Sequence, residues 1–168
     1  MHIDWKDLAN KLDCESSVGT RDACRAISEI LGDDAIIEAV EYYITGRPGA
    51  ELVRSILWHI HPKTGMDHCY KIYKEDSDID RRRDAVELLR VVADERALGW
   101  VEEFLNDPDP GIQTWGAGVV DQLLFSHFVE EENCSVLLNT MKNHANPGVR
   151  RMHGLITEYL GDRKCDSD

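Results

Sequence analysis

The segment from Asp94 to Leu124 limits what this chain can fold into, because it places two apolar helical stripes on either side of a turn that a helix cannot cross. Leu98, Val101, Phe104 and Leu105 recur at helical spacing, as do Ile112, Gly116, Val119, Val120 and Leu123. Between them, Asn106-Asp107-Pro108-Asp109-Pro110-Gly111 stops the first helix, since proline lacks an amide donor and biases its predecessor away from helical geometry. Asp109 then caps the second helix, with Pro110 at its first position. A helical hairpin of this kind cannot bury both of its faces alone, so the pattern predicts that it recurs along the chain.

Counting this one, second-helix starts fall near residues 20, 53, 81, 112 and 149, about 30 residues apart, a spacing in the range of helical repeat units. Each is preceded by another amphipathic segment: Asp4 to Leu12, Asp33 to Ile44, Gly65 to Tyr73, Asp94 to Leu105 and Glu131 to Met141. Thr45-Gly46-Arg47-Pro48-Gly49 and Asn143 to Gly148 supply two further proline-glycine reversals. The reading is ten helices in five pairs within a single domain spanning 1–168, with a polar tail that frays after Gly161. Core stripes are expected to include Val53, Ile56, Leu57 and Ile60, and Val136, Leu137 and Met141.

Asp107-Pro108-Asp109-Pro110-Gly111-Ile112-Gln113 with Gly116 and Val120, and Asn146-Pro147-Gly148-Val149-Arg150, resemble the HEAT repeat, in the short variety of phycobilisome-lyase-type proteins. The resemblance implies an all-α, right-handed α-solenoid of about five HEAT-like hairpins. It also implies a ladder of ion pairs between units, carried by Asp107 or Asp109 with Arg54, Arg82 and Arg150, and interrupted where Gln113 replaces the arginine.

Chemistry-bearing clusters are few. His59 and His61 point about 200° apart on a helix, so together with His68 and Cys69 they lack the shared face of a metal pair. None of the seven histidines is followed by Glu, which the HEAT-like di-iron hydroxylases require. No metal or other cofactor is expected. The five cysteines are odd in number and scattered, which reads as reduced thiols. The charged opening lacks a signal-peptide core and no run reaches membrane-spanning length, so a cytoplasmic protein without membrane contact is expected.

A formal net charge of −13 disfavours nucleic acid and favours a basic protein partner. The expected function is a non-catalytic protein-binding module. An acidic inhibitor, or immunity protein, of a basic toxin such as a nuclease fits by analogy. The alternatives are a structural adaptor in a larger assembly, or an enzyme: a HEAT-like chromophore lyase or DNA glycosylase.

The second-helix register places Arg21, Arg25, Arg54, Trp58, Arg82, Val86, Gln113, Ala117, Arg150 and Gly154 on one face as a partner groove, beside a more acidic stripe of Glu87, Asp121, Gln122 and Glu158. Trp58, at the edge of its core stripe, is the expected anchor. Asp78, Asp80, Asp107 and Asp109 are expected to steer the basic partner, against the plainer reading that such acids cap helices.

Overall fold

The computed structural model describes residues 17–165, and the side chains of residues 23–162. Among them lie nine α-helices and one 3-10 helix: α1 (Ser17–Leu31), α2 (Asp33–Ile44), α3 (Ala50–Ile60), α4 (Lys63–Glu75), α5 (Ile79–Val92), the 3-10 turn Glu95–Trp100, α6 (Val101–Leu105), α7 (Pro110–Phe125), α8 (Glu131–Lys142) and α9 (Pro147–Cys165). The described residues contain no strand. The expected helix from Asp4 to Leu12, with Trp5, lies outside the described residues.

Local chemistry sets most of these boundaries. Asp78, Asp94 and Asp109 each accept a backbone N–H at a helix start, satisfying a donor that the helix itself leaves open. Pro110 occupies the first turn of α7, as expected. Gly46 and Gly49 take positive φ (62° and 89°) in the turn between α2 and α3, a conformation that costs other residues.

Three expectations need correction. Asp94 to Leu105 is not one α-helix: its first half winds as a 3-10 turn held by Asp94 accepting from Arg96 N, with Gly99, a weak helix former, inside it. The chain does not fray at Gly161, since α9 continues to Cys165. The apolar stripes are also narrower than their periodicity suggests. Ile56 and Val136 are 55% and 77% exposed and Leu98 is only half-buried, because the neighbouring helices cover one side of each stripe.

Helices pack in a row with two kinds of contact. Adjacent helices pair as α2 with α3, α4 with α5, α6 with α7 and α8 with α9. Alternate helices then stack, α1 on α3, α3 on α5, α5 on α7 and α7 on α9, with α2 on α4 along the other side. Buried Ile36, Leu57, Leu89, Phe104, Ile112, Val120 and Ile156 belong to one continuous apolar cluster that runs the length of the row. α6 and α7 approach closely at Gly116, where an added Cβ would sit 2.3 Å from the Cβ of Phe104. No described helix is long and apolar enough to cross a membrane.

Candidate functional site

The stacking of alternate helices decides where the expected site residues lie. Val86 and Ala117, expected to face a groove, are fully buried, because the next second helix of the row packs over that face. Arg54, Arg82 and Gln113 therefore reach across helix interfaces. Arg54 Nη2 donates to Glu87 Oε1 at 3.1 Å, and Tyr43 Oη donates to the other oxygen of the same carboxylate. Burial and that carboxylate together push the Tyr43 hydroxyl well above its usual range. The side chain of Arg21 lies outside the described ones. Arg25, Arg150 and Gly154 are exposed.

Arg82 Nε donates to the Tyr73 carbonyl at 2.9 Å and its Nη2 donates to Asp107 Oδ2 at 2.8 Å, with the guanidinium 5.1 Å above the Tyr73 ring. Asp107 is 5% exposed, and its Oδ1 also accepts from Asp109 N. One position along, Arg83 grips Asp109 through Nε and Nη2 at 3.2 and 2.8 Å, a pair that motif reading at Arg82 missed. Hydrogen bonds from Arg83 outweigh burial and hold the Asp109 carboxyl below its usual value.

The ladder is not interrupted at Gln113. Its Nε2 donates to the Asp107 carbonyl at 2.7 Å while its Oε1 accepts from Asn146 Nδ2 at 2.9 Å, so the amide links α7 to the turn before α9. An amide can do this because it carries both a donor and an acceptor. Arg150, expected to join an ion-pair ladder, instead donates to the His144 and Ala145 carbonyls of its own turn.

The acids expected to steer a partner are largely occupied. Asp78 accepts from Asp80 N, Asp80 pairs with Arg83 at 2.7 Å, and Asp107 and Asp109 are bound as above. Helix capping and pairing account for all four. Two other carboxylates stand differently. Asp84 on α5 and Asp121 on α7 make no hydrogen bond or ion pair among the described residues, and burial raises both carboxyls above their usual value. Arg90, whose charge acts on Asp121, lies 5.3 Å over the Trp115 ring and 3.6 Å from Glu87, with its Nε buried and unpartnered.

Trp58 is 43% exposed, as its edge position predicts, and lines a cavity of about 520 Å³. Six separate parts of the chain build it: α1 through Cys24 and Arg25, the start of α2 through Asp33 and Ile36, the α3 end and turn from Trp58 to Pro62, the start of α4, Asp94 ahead of the 3-10 turn, and Ser126 with Phe128 after α7. His61 closes α3 with φ at 41°, which directs its ring onto the edge of Phe128 at 5.5 Å. Burial lowers the His61 pKa, outweighing its hydrogen bonds to the Val92 and Ala93 carbonyls, and Nδ1 is left buried without a partner. Cys24 Sγ donates to the His59 carbonyl at 2.9 Å.

The remaining metal-capable residues are dispersed. His68 bonds Glu41 at 2.8 Å and Cys69 is buried, where desolvation raises its thiol far above the usual range. Among the described residues no three His, Cys, Asp or Glu side chains are grouped to hold a metal ion. Comparison with family models, with curated proteins and with solved structures gave no match.

Proposed function

We propose that the chain is a non-catalytic protein-binding module, a right-handed α-solenoid of HEAT-like hairpins, that holds a basic protein and acts as the acidic inhibitor or immunity protein of a cationic toxin such as a nuclease. The alternate-helix stacking of α1, α3, α5, α7 and α9 supports the solenoid, because each unit meets only its neighbours in such an arrangement. The inhibitor class rests on the net charge of −13 and on analogy.

One observation carries the binding reading: Asp121 is a half-buried carboxylate that no cation pairs directly, with an exposed and equally unpaired Asp84 on the preceding second helix. Such a group costs stability in the free protein, and a lysine or arginine of a partner would offset that cost. Trp115, with the Arg90 guanidinium 5.3 Å from its ring centre, offers a rigid aromatic on the same helix as Asp121. The proposed contact thus moves from the steering acids at the turns to the α5 and α7 face.

The test uses wild-type protein and an Asp84→Asn/Asp121→Asn double variant as baits in extracts of the source cell. A cationic protein retained by the wild type, released by salt and lost from the folded double variant supports the reading. Equal retention by both baits, or capture of acidic proteins only, overturns it.

A further inference from the structure

We propose that the cavity beside Trp58 binds a small organic anion, a carboxylate carried on an aromatic or branched apolar body. Its volume of about 520 Å³ lies within the range of small-molecule sites, roughly 300–1,000 Å³. Ile36, Trp58, Ile60, Pro62 and Phe128 give it apolar and aromatic walls. The indole is left 43% exposed there, a surface that a flat ring would cover.

The charges of the lining select the sign of the ligand. Asp33 accepts from Thr64 Oγ1, Asp94 is held by Arg96 at 3.0 Å, and Glu29 is engaged as well. Arg25 and Lys63 make no ion pair among the described residues. The cavity of a strongly acidic protein therefore presents two cations without an ion pair, against one carboxylate, Asp33, that is held only by a neutral hydroxyl. His61 adds no charge at neutral pH, since burial keeps its ring neutral. The Cys24 thiol at its rim donates to the His59 carbonyl. This site shares no residue with the α5 and α7 face proposed to hold a protein.

Three probes with one ring and different charges test it: 2-naphthoate, 2-naphthylmethanol and 2-naphthylmethylammonium, each titrated calorimetrically into the full chain. The naphthoate binds with 1:1 stoichiometry and at least about ten-fold more tightly than the alcohol or the ammonium. An Arg25→Gln/Lys63→Gln variant, altered only at exposed side chains, loses that ten-fold preference while still binding the alcohol. Trp58→Ala weakens all three by about ten-fold or more with the melting temperature held. The Asp84→Asn/Asp121→Asn variant binds naphthoate as the wild type does, which separates this site from the protein-binding face. Absence of saturable naphthoate binding up to millimolar concentration, equal affinity for the three probes, or an undiminished preference in the Arg25→Gln/Lys63→Gln variant overturns the proposal.

Discussion

Arg82 Nη2 lies 2.8 Å from Asp107 Oδ2 across the α5–α7 join, and the carboxylate it meets is 3% exposed while the arginine is 24% exposed. Asp107 simultaneously orders the turn before α7, since its other oxygen holds Asp109 N. Removing the acid strands a half-buried guanidinium and frees the turn. Asp107→Ala is expected to cost about 3 kcal/mol in urea unfolding, and Asp107→Asn clearly less because shape and the turn bond survive. Equal losses in the two variants would show that the turn bond contributes little beside the charge pairing at this join.

Leu105 is 1% exposed in the continuous core, at the end of α6. Leu105→Ala is expected to cost about 2–5 kcal/mol, from lost apolar transfer plus the cavity left behind. Chemical denaturation with an unchanged m-value measures it. A loss below about 0.5 kcal/mol, usual for surface changes, would place Leu105 outside the core.

At Gly116 the crowding is against the Cβ of Phe104, which is fixed to the backbone and cannot swing aside. Gly116→Ala should therefore destabilise by about 1–3 kcal/mol despite the better helix propensity of alanine. Gly118→Ala meets the flexible Cδ of Arg90 instead and should cost distinctly less. Thermal melts of the two variants, compared side by side, decide it.

Acid should act first through His61. Its folded pKa lies below the ordinary 6.5, so below pH 6.5 the unfolded chain takes up the proton more readily, and stability falls as pH falls through that window. Glu41, Glu103 and Asp109 have lowered carboxyl pKa values, and their contributions are lost later, below about pH 4. Asp121, with a raised pKa, works the opposite way and relaxes on protonation. His61→Asn, a residue that tolerates the left-handed backbone, should flatten the melting temperature between pH 7 and pH 5 while leaving the later fall intact.

Helix boundaries were legible wherever one residue carried the signal. Asp109 followed by Pro110 announces a helix start by local chemistry alone, and Asp33-Asp34 with Gly46 bracket α2 without reference to any neighbour. Exposure within a stripe was less legible: Ile56 and Leu57 are equally apolar in sequence, yet the stacked helices cover only Leu57. The cavity at Trp58 could not be read at all, since it joins Cys24 to Phe128 through packing that no spacing rule encodes. Nor could Gln113, whose departure from an arginine pattern looked like a gap and is a bridge, because an amide reaches both ways.

That substitution gives the row of helices two kinds of seam. From α3 to α7 the joins are ionic, Arg54 with Glu87, Arg82 with Asp107 and Arg83 with Asp109. From α7 to α9 the join is made by the neutral side chains of Gln113 and Asn146. Acid that protonates these carboxylates loosens the first kind, whereas the Gln113–Asn146 pair itself carries no titratable group. Under acid the joins from α3 to α7 would therefore loosen ahead of the Gln113–Asn146 amide pair, whereas heat, which spares neither kind, would impose no such order.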